Sequence, residues 1–177
     1  MSDLERALWP ASQLGEAVEA LARAAKLTTT RHHVANVPLS LVRAGGEALD
    51  RWLDAAVQPL GLEAEPTFAP YAEVSALVAG AAPALLRLEP DGNGEVRFAL
   101  LLHGGRRHVT LLGPDQQPVP ITTEALADRL AAPVLAPYRE PVERLLDSAS
   151  IRPRRRARTR KQLFAKRVRQ PVRGVWL

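Results

Sequence analysis

ALLRLEPDGNGEVRFALLLHGGRRHVTLLGPDQQPVPIT, residues 84–122, is the stretch on which the fold turns. Residues 84–89 and 95–102 are dense in Leu, Val and Phe, and between them lies Pro90-Asp91-Gly92-Asn93-Gly94, a turn-rich run that predicts a hairpin connection. Gly104-Gly105 leads into a third strand at 108–112, and Gly113-Pro114-Asp115 turns the chain again toward a fourth at 119–121. Short apolar runs separated by Gly and Pro, with no helical period between them, predict an antiparallel meander. Thr122 or Thr123 is placed to cap a helix reaching Leu130. A short segment at 134–137 and a helix over 140–149 complete the second half.

Upstream the period changes to that of helices. Ser2 and Glu5 have capping-box spacing, predicting a short helix over 3–9 that Pro10 stops. Over 12–26, Leu14, Val18, Leu21 and Ala25 recur on one helical face, with Glu16, Glu19 and Arg23 left for the other. Residues 28–44 are expected as a loop with a short turn near 39–42. Leu49, Trp52, Leu53 and Ala56 then mark an amphipathic helix over 47–58, with Gly61 as its terminator. A weakly alternating strand at 62–68 and a short helix at 71–78, ended by Gly80 and Pro83, lead back to the meander. Helices first and strands later indicate an α+β fold, not an alternating parallel one.

The 177 residues, 46% of them apolar, suffice for one compact domain plus a tail. There is no Cys, which excludes thiol catalysis, disulfides, thiolate zinc sites and iron–sulfur clusters. The net charge of +5 is unevenly spread: residues 1–150 hold 13 Lys/Arg against all 19 Asp/Glu, a net of −6, whereas residues 151–177 hold 11 Lys/Arg and no acid. The division suggests a domain over 1–150 and a basic connector over 151–177. Within the latter, Arg154, Arg155, Arg156, Arg158, Arg160 and Lys161 are candidates for contact with a polyanion or with lipid headgroups. The tail lacks an aromatic platform for bases, which disfavours nucleic acid.

The N-terminus has no basic region followed by an apolar stretch, so no secretory signal is expected. The longest uncharged apolar run, 76–86, is too short to cross a bilayer. The closing Val172-Arg173-Gly174-Val175-Trp176-Leu177, apolar and aromatic after a basic stretch, has the composition that precedes a membrane span on its cytoplasmic side. It suggests a connector leading toward a membrane segment of a longer protein.

Catalytic patterns are absent. His32-His33 and His103 with His108 lack the i, i+4 spacing of a metalloprotease helix, and there is no nucleophile elbow, Walker A loop or dinucleotide-binding glycine motif. Glu16, Glu19, Asp50 and Asp54 have the spacing of solvated helical faces. No metal or cofactor is expected, and a hydrolase using serine or a metal has no recognisable base–nucleophile pair.

The order of elements over roughly residues 8–140 resembles the papain-like peptidase domains at the N-terminus of bacterial ABC exporters that process bacteriocin-type peptides. In that family an early helix opens on Cys-Gly; here Leu14-Gly15 precedes Ala17-Val18-Glu19-Ala20-Leu21. The run Ala55-Ala56-Val57-Gln58-Pro59-Leu60-Gly61-Leu62-Glu63-Ala64 is similar to the phrase that closes the family's next long helix, and Pro83-Ala84-Leu85-Leu86 to its first apolar strand. Arg97-Phe98-Ala99-Leu100-Leu101 matches the strand that the catalytic His opens, with Arg97 in the His position. Gly113-Pro114 matches the Asp-Pro pair but has lost its Asp, although Asp115 follows, and Leu8 stands where the oxyanion-hole Gln would be.

The resemblance implies a papain-like cysteine-peptidase fold, an N-terminal helical lobe packed on a C-terminal antiparallel sheet. It also implies that peptidase activity is lost. Leu cannot attack a carbonyl, and Arg stays protonated and cannot act as a base. Leu14, Gly15, Arg97 and Pro114 would then line a degenerate groove. The expected function is a non-catalytic, cytosolic docking domain at the inner membrane. Its partners would be an export substrate, the downstream transmembrane and ATP-binding domains of an exporter, and an anionic membrane surface. The alternative is an unrelated small α+β protein that holds nucleic acid or another polyanion through its Arg-rich tail.

Overall fold

The computed structural model describes residues 2–29, 33–90, 94–149 and 151–177. Its elements in chain order begin with α1 (Asp3–Ala7), β1 (Trp9–Pro10), α2 (Leu14–Ala24), α3 (Leu39–Ala44) and α4 (Gly46–Val57). Then come β2 (Pro66–Ala69), α5 (Val74–Gly80), β3 (Ala84–Leu88), β4 (Arg97–His103), β5 (His108–Leu112) and β6 (Pro118–Thr122). The chain closes with α6 (Thr123–Ser148), α7 (Pro153–Arg167) and β7 (Val172–Trp176). The architecture is α+β: N-terminal helices, a seven-stranded antiparallel sheet and a C-terminal helical hairpin.

The sheet runs β2-β7-β3-β4-β5-β6, with the short β1 beside the start of β4. The meander expected over 84–122 is present, with Leu88 opposite Arg97 and Leu111 opposite Val119. Of the expected turn at 90–94, Asp91, Gly92 and Asn93 lie outside the described residues. Helices cover both faces of the sheet. Leu85, Phe98, Leu100 and Trp176 pack against α2 and α4, while Leu86, Leu88, Ala99 and Leu101 pack against α5, α6 and α7. This explains why β4 reads as an unbroken apolar run: both of its faces are buried, so no polar alternation is required.

Local rules hold where local physics decides. Ser2 Oγ accepts the N–H of Glu5 at 3.2 Å, and Thr122, not Thr123, caps α6 by accepting from Ala125 N. Thr123 is buried and ties the β4–β5 connection instead, donating its hydroxyl to Gly105 O at 2.7 Å. Leu49, Leu53 and Val57 form the buried stripe of α4. Gly15 allows the segment at 34–35 to cross α2, since a Cβ there would collide with the Val34 carbonyl oxygen. Glu19 fixes the same crossing by accepting Val34 N at 2.6 Å.

Two expectations are corrected. α6 is one helix through Pro133, Pro137 and Pro141, not two pieces around a short segment. The prolines recur every four residues along one row, outside the stripe of Leu130, Leu135, Val142 and Leu146 that is buried in the core shared with the sheet, α5 and α7. Burial of that stripe holds the helix together although each proline removes a ladder hydrogen bond.

The second correction concerns residues 151–177, which are not a connector outside the domain. α7 packs on α6, and β7 lies in the interior of the sheet, pairing Thr67↔Val175 on one side and Leu86↔Val175 on the other. The apolar character of Val172, Val175 and Trp176 is that of a core strand, each being at most 4% exposed. Gly174 makes the strand possible, with φ +89° and the Arg87 carbonyl oxygen 3.3 Å from where a Cβ would stand.

Both edges of the sheet are blunted by proline. Glu65 and Leu177 exchange backbone hydrogen bonds, so Pro66 points its nitrogen away from β7. On the other edge Gln117 O accepts from Gly113 N and Thr123 N donates to Arg107 O, which turns Pro118 and Pro120 outward. Neither edge presents an unbroken row of donors for another strand.

Candidate functional site

The positions that the peptidase resemblance singles out gather at one end of β4 and β5, around β1. Pro10 is opposite Arg97 and Trp9 opposite Phe98, while the Trp9 indole donates to Leu112 O at 2.8 Å, one residue before Gly113. Leu14 begins α2 four residues after Pro10 and is completely buried. The backbone therefore brings Leu14, Arg97 and Gly113 to the same corner.

Their side chains do not converge. Leu14 packs with Trp9, Phe98, Leu100 and Leu112 on the α2–α4 face. Arg97, opposite Leu88 and in phase with Ala99 and Leu101, emerges on the other face, where its guanidinium lies 3.8 Å from Glu95. A Cβ on Gly113 would also look away from Leu14, toward Arg6 O at 3.8 Å. Arg97 and Leu14 therefore lie on opposite faces of the sheet and do not share a groove. Along β4 and just before it, the residues sharing a face with Leu14 are Val96, Phe98, Leu100 and the half-buried Leu102.

Leu8, in the oxyanion position, belongs to the opposite core cluster. Asp115, offered as a displaced orienting carboxylate, instead accepts Gln117 N at 3.0 Å within its own turn. A small hollow of about 110 Å³ adjoins the corner, lined by residues that include Pro10, Ser12, Val42, Glu95 and Val96. Leu14, Gly15, Arg97 and Pro114 are not among its walls.

A larger hollow, about 580 Å³, opens where β3 and β7 part beyond the Gly174 bulge. Several of its polar groups are tied to neighbouring elements. Arg87 donates from Nε and Nη2 to Val42 O and pairs with Glu89, the Trp176 indole donates to Asp50 Oδ1 at 2.8 Å, and the Arg173 guanidinium sits 5.4 Å from the centre of the Phe68 ring. These contacts hold β7 and α3 to the body.

The third place is the cleft of about 390 Å³ between α6 and α7, whose walls include Tyr71, Asp128, Arg139, Lys161 and Phe164. Phe164 is buried and meets Tyr71 edge to face, ring centres 6.0 Å apart. Burial raises the Tyr71 hydroxyl above its usual pKa, helped by Asp128 and Glu124. Burial also raises the Asp128 carboxyl, with Glu124 adding to the effect and Lys161 and Arg139 opposing it. At the rim, hydrogen bonds from Arg160 (2.5 Å) and Arg156 (2.8 Å) hold Glu143 down to about 2. Arg156 also reaches Asp147, and Lys161 reaches Glu124.

The six basic candidates thereby divide. Arg156, Arg160 and Lys161 face α6 and are ion-paired, while Arg154, Arg155 and Arg158 are exposed and make no ion pair among the described residues. Sequence spacing carried this signal, since 3.6 residues per turn puts Arg156, Arg160 and Phe164 on one side of α7. What it lacked was the position of α6.

His32 lies outside the described residues. His103 and His108 are exposed, and among the described residues no three His, Asp or Glu side chains converge as a metal site. Among these residues, too, no helix is long and apolar enough to cross a membrane. No protein-family profile and no curated protein matches the chain.

Proposed function

We propose that this chain is a non-catalytic recognition domain of the type found at the N-terminus of ABC peptide or protein exporters, acting at the cytoplasmic face of the inner membrane. It would dock the export substrate or regulate the transporter without cleaving peptide. The observation that carries the reading is the packed corner at β1. The start of α2, where the resemblance puts a nucleophile, holds a fully buried Leu14, and the β4 side chains sharing its face are Phe98 and Leu100, both fully buried. None of these groups can attack a carbonyl or move a proton.

The prolines on both sheet edges weigh against recognition by an added peptide strand. A substrate would have to be held by side-chain surfaces, with helix or loop contacts. The test is calorimetric titration with peptides encoded beside this chain, run with a cleavage assay on the same peptides. Saturable binding with intact peptide is expected. Cleavage by the purified protein would overturn the non-catalytic reading, and no heat of binding from any neighbouring peptide would overturn substrate docking.

A further inference from the structure

The outer half of α7 is a docking face, we infer, for an anionic lipid bilayer. The inference does not depend on the exporter reading. At 3.6 residues per turn, Arg154, Arg155, Arg158, Gln162, Ala165 and Lys166 fall on one half of the helix, and all six are exposed. The other half is spent on the fold through Phe164, Leu163 and the ion pairs of Arg156 and Arg160. Of the carboxylates that α6 turns toward α7, Glu124, Glu143 and Asp147 are met by Lys161, Arg160 and Arg156, and Asp128 lies inside the cleft beside Lys161, away from the outer half. Among the described residues the outer cations therefore have no ion-pair partner, and exposed Arg152 and Arg169 extend the strip beyond both helix ends.

The partner follows from shape and from the charge of the remainder. α7 lies along α6 and does not project as an element that could enter a duplex groove. Its outer half carries no aromatic ring on which a base could stack. Residues 1–150 carry a net −6, so a polyanion that runs across the body is repelled, whereas a flat anionic surface touches the cationic face alone. A bilayer also accepts delocalised positive charge without geometric register.

The test uses the full chain and vesicles of phosphatidylcholine with or without 30% phosphatidylglycerol, read by co-sedimentation at low and high salt. Binding should require phosphatidylglycerol and weaken with salt. The variant R154Q/R155Q/R158Q/K166Q should lose on the order of a thousandfold in affinity, the product of four contributions of about fivefold each. R23Q/R51Q/R106Q/R107Q, which removes the same charge from exposed arginines elsewhere, should lose much less. Equal losses in both variants, equal binding to neutral vesicles, or no binding to anionic ones would overturn the proposal. Duplex DNA displacing the protein from vesicles at equal phosphate concentration would replace it with nucleic-acid binding. Unchanged circular dichroism and melting temperature in both variants separate these outcomes from unfolding.

Discussion

Replacing Trp176 by Ala tests whether the C-terminal strand belongs to the core. The side chain is 4% exposed, lies opposite Pro66 and Leu85, and donates its indole N–H to Asp50. Truncating a buried Trp costs about 3–5 kcal/mol, and losing a hydrogen bond to a carboxylate adds about 1.5 kcal/mol. The expected loss is therefore about 4–6 kcal/mol, a large share of the roughly 5–15 kcal/mol that holds a typical domain together. With a urea slope near 2 kcal/mol/M, the midpoint should fall by roughly 2–3 M. Urea titration followed by far-ultraviolet circular dichroism measures it without relying on the deleted fluorophore. Trp176→Phe keeps the ring body and should lose only about 1–2 kcal/mol, which gives a measurable value if the Ala variant does not fold. A Trp176→Ala midpoint within about 0.3 M of the parent would refute the placement, because an external connector has no core to lose.

Leu14→Cys should yield a thiol that Ellman's reagent labels only at the rate of unfolding, since the site is fully buried; fast labelling in native buffer would mean an open groove at the start of α2. In differential scanning calorimetry, Gly15→Ala should lower stability by about 2 kcal/mol or more, because its Cβ would collide with backbone at Val34 O, and Gly174→Ala by about 1–2 kcal/mol, because its φ of +89° strains any L side chain. The salt-bridged Glu143 has its pKa depressed in the folded state, so its stabilisation is present above the usual carboxylate range and is lost as the pH falls through about 2. Glu143→Gln should accordingly flatten the acid limb of the melting temperature against pH, and an unchanged limb would show that the pairs with Arg156 and Arg160 contribute nothing in solution. Thr123→Val should cost about 1–2 kcal/mol through the lost bond to Gly105 O, a value checked by thermal melts.

Local patterns explain how much was legible. The meander over 84–122 follows from β-forming runs between turn residues, and it survives because neighbouring strands pair in sequence order. The α2 and α4 stripes are equally local. The candidate groove was less legible, because a motif match orders residues along a strand without saying which face each one takes. A shift of one residue along β4 carries Arg97 to the opposite face of the sheet, and only the pairing Leu88↔Arg97 fixes which face that is.

By itself, then, the sequence determined the α+β class, the absence of thiol chemistry and the concentration of cations after residue 150. Tertiary structure alone decided what those last residues do. Val172–Trp176 has the same apolar composition whether it precedes a membrane span or enters a sheet, and its partners Leu85 and Leu86 stand some ninety residues earlier in the chain. The cations of α7 are likewise identical in the sequence, and become inner or outer only against Glu143 and Asp147 of α6. Both outcomes rest on contacts between distant segments, which periodicity and composition do not encode.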